Sequence, residues 1–585
     1  MFLVTTADES SWDNSRDICY LGEWCRRYSR KETWEKNNSY VVPYHWNNRE
    51  KYNRDYYYLD NLYERFLVQL SNNLDQINYP AKGVDYWRIV VGPWLRFFID
   101  VLFDRYETIY SAYKLGVVDD TWILPYELND WVPCGFNDFF DSINNDKWNH
   151  ILYSECIRAI GLPHSIIHNA IALKPSVNFN NSDGIIKLIT KKILGKYQKI
   201  IPSRLNRHVF ISPYFPAMHI ARLQLALKQL PYLISPLTIK YDSPVDNDSR
   251  GALSINVGDS PFELLAGALI PRFMPKAYLE DIGKYRTFVL NRYPTNPLTI
   301  FTANAYQADD NFKYWAAECR KEGVPLIIGQ HGGNMGIAHH NQTEEHQLKI
   351  ADSFCSWGWN QDGICSIKPM PSIQLSNTSF SANPNGDILL VLASYPRYFY
   401  CHYSVPVAGQ FLAYLKQQIQ LINDLNQNAK PLIRIRLNGD EYGWDIVERL
   451  NDAGHGDRID RSASEFHTAV SKSRLCIVSY NATIFLETLH ANFPTVAYWD
   501  PNLFDARVDA LPFLNELSEV GILHDSVESA SRFISEVHED IQSWWENQEL
   551  QRVRVKVCAF YANSSKNWIL EWKNHLRSVK LKVVK

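Results

Sequence analysis

The sequence predicts an α/β protein of two Rossmann-like domains joined by a linker. Three observations carry this expectation. Residues 387–500 alternate short apolar strands with helical stretches in the order β-α-β-α-β-α-β, which is the pattern of a parallel sheet. Residues 298–329 hold an earlier strand–helix–strand unit of the same kind. Between them, PMPSIQLSNTSFSANPNG (369–386) is rich in Pro, Ser, Asn and Gly and has no periodicity, which marks a linker. A length of 585 residues suits two or three domains.

Taken in order, FLVTT (2–6) reads as a first strand followed by the polar loop ADESSWD. Residues 12–60 are dense in Trp, Tyr, Asn and charge and give no assignable period. Residues 62–78 and 86–113 repeat apolar side chains at three and four, as helices do. In the second, Pro93 stands near a helix start, where its missing N–H matters little. RHVFIS (207–212) and LTIFTAN (298–304) are strand candidates, followed by a helix over 309–322 and the strand PLIIG. After the linker come the strand DILLVLASY (387–395), a helix over 405–427, the strand PLIRIRL (431–437) and a helix near 464–472. The strand RLCIVSY (474–480), the helix NATIFLETLHAN (481–492), the strand PTVAYWD (494–500) and a helical region over 527–565 complete the series.

Composition narrows the function. The chain carries 60 basic and 64 acidic side chains, so no strongly basic balance points to nucleic acid. Ten cysteines without a CxxC pair signal neither a disulfide framework nor a zinc site, and reduced thiols in a cytoplasm fit best. The first residues lack the basic start and apolar core of a signal peptide. No apolar run has the roughly 18 residues of a membrane span, so any membrane work is peripheral. P-loop, GxSxG and GxGxxG motifs are absent. The high aromatic share, 14%, reads first as core packing and second as surfaces for sugars, whose apolar faces stack on rings.

Five stretches carry candidate chemistry. In SYNATIFLETLHAN, a strand ends at Tyr480, Asn481 is a good N-cap and Thr483 lies in the first turn. N–H groups and the helix dipole there favour a diphosphate. Glu487 stands one turn deeper on the same face, where a carboxylate would accept from ribose hydroxyls, or simply sit solvated. In IRIRLNGDEYGWD (433–445), Arg436 ends a strand where a phosphate would lie, with Asn438 on the following loop. In ASYPRYFY (393–400), Arg397 either meets the donor across the cleft or stabilises a turn. In PLIIGQHGG, Gln330 and His331 occupy a strand end, and Gly332 admits a ligand to the backbone. His331 there is a hydrogen-bond donor or general base, or a structural loop residue. In TTADESSWD, Asp8 or Glu9 is placed to deprotonate an acceptor, or is a solvated loop acid. HHNQTEEH (339–346) lacks HExxH spacing, so no metal is expected.

FLVTTADESSWD, LIIGQHGG, RIRLNGDEYGW and SYNATIFLETLHANFPTVAYW together resemble a family of transferases associated with O-antigen and other bacterial surface-carbohydrate loci. The resemblance implies a GT-B glycosyltransferase, an α/β fold of two Rossmann-like domains facing each other across a cleft. It implies an acceptor-side domain over 1–375 with helical insertions, a nucleotide-sugar domain over 386–555 and a C-terminal helix in 556–585 packing back toward the first. It also implies a nucleotide-sugar donor, a glycan acceptor of the lipid-linked type among others, and no essential metal or other cofactor. The place of work would be the cytoplasm or the inner face of its membrane. The QHG strand end and the Asn/Thr…Glu helix are more loosely similar to capsule transferases that use CMP-activated ulosonic acids, without excluding UDP, GDP or dTDP donors. On this resemblance Asp8, Glu9 and His331 are the catalytic candidates. Gln330, Gly332, Arg397, Arg436, Asn438, Tyr480, Asn481, Thr483 and Glu487 would bind the donor. Three rivals stand beside it: a nucleotide-sugar epimerase or hydrolase on the same fold, a CDP-linked glycerophosphotransferase, and a non-catalytic carbohydrate-binding protein.

Overall fold

The computed structural model describes residues 1–585 except 37, 78–79, 169, 176–206, 233, 235–242, 362, 365, 438, 440, 463–464 and 581–585. Asn438 therefore lies outside the described residues.

The chain opens with three short strands, β1 (Phe2–Val4), β2 (Ile18–Tyr20) and β3 (Ser39–Val41), paired in parallel as a sheet of their own. The first strand thus belongs to no larger sheet. The helix expected over 62–78 begins earlier and spans Arg49–Ile77. The one expected over 86–113 is two helices, Val84–Val90 and Gly92–Leu115. Pro93 explains the break, because it lacks the N–H that would continue the first helix into the second. The second helix ends on Gly116 at φ +65°, a left-handed cap that glycine adopts without strain. A two-stranded pair, β4 (Trp122–Ile123) with β5 (Ser165–Ile166), lies beyond it.

A five-stranded parallel sheet follows: β6 (His208–Ile211), β7 (Thr299–Thr302), β8 (Leu326–Gly329), β9 (Ser353–Ser356) and β10 (Ile367–Pro369), adjacent in chain order. The strands β6 to β9 are buried along their whole length, which is why HVFI and LIIG read as continuous apolar runs. The second five-stranded parallel sheet contains β11 (Asp387–Val391), β12 (Ile433–Arg436), β13 (Ser473–Val478), β14 (Thr495–Tyr498) and β15 (Leu523–His524), in the order β12-β11-β13-β14-β15. The winding reverses between β11 and β13, and the crevice outside their C-terminal ends is the ligand position in such sheets. The two sheets face each other through the loops after β8 and β13, so the fold is the two-domain GT-B arrangement.

The halves are tightly joined. Met370, Ile373 and Leu375 in the linker are buried. The final helix, Trp568–Ser578, packs on the first sheet with Phe210, Phe301 and Ile327. There the Trp572 indole donates to the Pro371 carbonyl at 2.9 Å. The loop after β11 runs into the N-terminal helices, where the Arg105 guanidinium donates to the Phe399 carbonyl at 3.0 Å and His402 Nδ1 meets Asp100 at 3.1 Å. Among the described residues no helix is long and apolar enough to cross a membrane.

Candidate functional site

The site begins where β8 ends. Gln330, 4% exposed, accepts hydrogen bonds from the Trp357 backbone N–H at 2.8 Å and the Trp359 indole at 2.7 Å. Its amide donates to the Gly332 carbonyl at 2.6 Å. With its side chain engaged on both ends, Gln330 holds the loop rather than presenting its amide to the cleft. The loop then passes so close to the other half that side chains are excluded. A Cβ on Gly333 would lie 2.6 Å from the Ala482 carbonyl carbon and the Thr483 nitrogen. The Gly333 N–H donates to Thr483 Oγ1 at 3.1 Å, and a Cβ on Gly332 would stand 3.9 Å from that oxygen. Gly333 is thus required by backbone approach between the two domains, whereas a Cβ on Gly332 would make only an ordinary contact.

His331 sits between these contacts. Its buried Nδ1 has no hydrogen-bond partner. Burial pushes its pKa down to about 4, so the imidazole is neutral at physiological pH, with a lone pair left to accept a proton or hydrogen bond.

Across the seam, β13 delivers Ser479, Tyr480 and Asn481 to the helix Thr483–His490. Ser479 is fixed by the Val391 carbonyl at 2.8 Å and the Tyr414 hydroxyl at 2.6 Å. The expected N-cap is corrected by one residue. Ala482, not Asn481, occupies it, and no side chain caps the helix. The reason is tertiary: Asn481 is buried at 7% exposure, and the Thr483 hydroxyl is engaged by Gly333. Asn481 Oδ1 is itself buried without a partner. A helix start lacking a side-chain cap is suited to an anion. Tyr480 is half-buried at the strand end, and burial raises its phenol above the ordinary range.

Glu487 follows one turn into the helix. It is 8% exposed, accepts from the Gln374 amide at 3.2 Å, and is held above the usual carboxylate range by burial. Gln374 comes from the linker, and sequence patterning gave no sign of it. Arg436 ends β12 with its guanidinium 3.3 Å from Asp460.

The remaining candidates lie elsewhere. Arg397 is buried, with its guanidinium on Asp146 at 2.9 Å and on the Trp24 carbonyl. It ties the loop after β11 to the N-terminal segment and does not present its charge to a donor. Asp8 caps a short turn, accepting from the Ser10 backbone at 3.1 Å and its hydroxyl at 2.7 Å. Glu9 pairs with Arg30 at 2.9 Å. Both follow β1, outside the five-stranded sheets that form the seam. In HHNQTEEH, Glu344 is buried and paired with Arg507, which reaches over from the second domain and also donates to the Ala338 carbonyl at 3.1 Å.

Solved proteins align with the chain at low identity. MnaA of S. aureus, solved with UDP, is 11% identical, with 63% of this chain and 95% of that one aligned at a TM-score of 0.37. MurG of Acinetobacter baumannii is 12% identical over 63% and 99% of the two chains, at a TM-score of 0.29. The trehalose-6-phosphate synthase OtsA is 9% identical over 53% and 78%, at 0.32. No curated protein sequence matches the chain. The sequence matches the LIC12162 family transferase profile over residues 1–576, and the chain belongs to that family of transferases.

Proposed function

We propose that the chain is a glycosyltransferase moving a sugar from a nucleotide-sugar donor to a glycan acceptor, without a metal. The observation that carries this reading is the seam at Gly333 and Thr483. It sets the neutral His331 imidazole on one sheet opposite a helix start without a side-chain cap on the other. In the proposed reaction the acceptor oxygen bonds to the anomeric carbon as the bond from that carbon to the donor phosphate breaks. The charge left on phosphate falls on the helix N–H groups, where preorganised dipoles substitute for a cation, with Arg436 as a further donor-binding candidate. Glu487 accepts from ribose hydroxyls. We assign the proton from the acceptor hydroxyl to His331 rather than to Asp8 or Glu9, which are engaged in a turn and an ion pair. A histidine near pKa 4 is a weak base. Two effects compensate: the attacking hydroxyl becomes acidic as its bond forms, and the departing phosphate beside the ring favours the imidazolium.

The donor class we favour is CMP-linked, an ulosonic acid destined for a surface polysaccharide or O-antigen. It rests on the likeness of the QHG strand end and the Asn/Thr…Glu helix to transferases of that kind, and with it we propose work in the cytoplasm at the membrane face. Calorimetry with CMP, CDP, UDP, GDP and dTDP tests it. One nucleotide is expected to bind, with affinity lost in Arg436→Ala and Glu487→Ala. Binding of none removes the transferase reading. Donor turnover without an acceptor replaces it with an epimerase or hydrolase.

A further inference from the structure

The loop after β6 holds two non-glycine residues in the left-handed backbone region, Ser212 at φ +43° and Tyr214 at φ +58°. Such strain persists only where surrounding contacts impose it, and it concentrates at sites that use it. Here the contacts are visible. The Ser212 carbonyl accepts from the Ala303 N–H at 3.1 Å, tying the strained loop to the end of β7. The Tyr214 hydroxyl accepts from the Asn304 amide at 3.1 Å. Asn304 stands at the N-cap of the helix Ala305–Ala308 and caps nothing there. Its side chain serves the tyrosine instead.

The result is an aromatic ring placed against the rule for aromatics. Tyr214 is 52% exposed, yet it is held at its hydroxyl and stands 5.7 Å from the His331 ring at an interplanar angle of 54°. Three successive strand ends, those of β6, β7 and β8, supply Tyr214, Asn304 and His331. The ring's exposed surface and the His331 ring lie together at the C-terminal edge of the first sheet, with His331 Nδ1 itself buried. A flat apolar surface held open at a strand-end cleft matches a pyranose, which offers a face of C–H bonds.

We propose that Tyr214 is a pyranose platform: a sugar ring stacks on its open face, beside the His331 ring. This deepens the transferase reading and rests on it for the identity of the reaction, but the platform itself is tested without nucleotide.

The test is saturation-transfer NMR on the full-length chain with the methyl glycosides of glucose, galactose, N-acetylglucosamine and N-acetylneuraminic acid. Thermal melting and calorimetry with CMP and UDP run beside it. Tyr214→Gly removes the ring at a backbone angle that glycine adopts freely, so the variant is expected to melt no lower than the wild type. It should lose saturation of the sugar by at least tenfold, while nucleotide affinity stays within twofold. Tyr214→Phe keeps the stacking face and is expected to retain most of the sugar signal. The proposal is overturned if no glycoside receives saturation from the wild type or if Tyr214→Gly leaves the transfer intact. It is also overturned if Tyr214→Gly abolishes nucleotide binding equally or lowers the melting temperature sharply, since the ring would then carry a base or the fold. Sugar binding lost in Tyr214→Gly, with no nucleotide bound by the wild type, keeps the platform and removes the transferase reading. Nucleotide bound with no sugar bound does the reverse.

Discussion

Glu487 is a carboxylate that folding disfavours in its charged form. Burial raises its pKa, and only the Gln374 amide and a nearby His467 oppose this. The folded chain therefore holds this proton more tightly than the unfolded chain. The group's contribution to stability falls as pH rises from the ordinary carboxylate value toward the raised one. Glu487→Gln is accordingly expected to raise the melting temperature at pH 7.5. The gain should vanish below about pH 4, where the acid is protonated in both states. Scanning calorimetry at the two pH values checks it, and an equal gain at both would show that burial of charge is not the cause. The same variant should weaken nucleotide binding by roughly 10- to 100-fold, the worth of hydrogen bonds to a charged acceptor, read by titration calorimetry. A group kept at a cost to stability is what a binding site contains. Much at this scale was legible. The glycines, His331 and Glu487 stand out because a core strand or a plain amphipathic helix needs none of them. Gln330 and Arg397 misled for one reason: a polar side chain at a strand end looks alike in sequence whether it faces a ligand or two buried tryptophans.

At the scale of elements, the helix Trp568–Ser578 shows how a distant segment completes a domain. Trp572 is buried, with ring centroids 5.3 Å from Phe215 and 5.4 Å from Phe301. Trp572→Ala should destabilise by about 3–5 kcal/mol through lost transfer and a residual cavity. Chemical denaturation measures this, and limited proteolysis should cut first within 568–578. Unchanged stability would mean that the first sheet does not depend on this helix. Four strands of the second sheet and the helices between them were readable to within a few residues, because buried parallel strands are apolar runs and their helices are periodic, but the two-residue β15 and the helices Ile446–Asp452 and Leu511–Glu519 were missed. Of the N-terminal sheet only the first strand was read. Its strands have three residues each, too short for any period to register. The N-cap after β13 was misplaced by one residue because local preference favours Asn, whereas the approach of Gly333 fixes where the helix starts.

Across the whole molecule, charge ties the halves together. Arg507 crosses to the buried Glu344, whose other oxygen accepts from the Gly336 N–H at 2.9 Å, while Arg49 and Asp505 form a second bridge. Arg507→Met leaves a buried carboxylate unpaired and is expected to cost about 3–5 kcal/mol. Adding Glu344→Gln should restore most of that loss, since a neutral amide in the same space carries no charge to neutralise. Denaturant unfolding of the single and double variants decides it. If the double variant is no better than the single, the arginine acts through packing on Trp359, 5.5 Å away, rather than through charge.

The loop after β11 has a wider consequence. It leaves the second sheet, buries Arg397, Phe399 and His402 among the N-terminal helices, and returns to the helix Gln410–Asp424. The single hydrophobic cluster that holds Phe399 draws its members from Phe2 through to Ala562. Neither half is a transplantable cassette. Where two domains meet only at a linker, a donor specificity can be exchanged by grafting one domain onto another protein's partner. Here a graft at residue 386 would sever an interior shared by both sides. A new donor preference in this chain has to arrive as substitutions within the cleft.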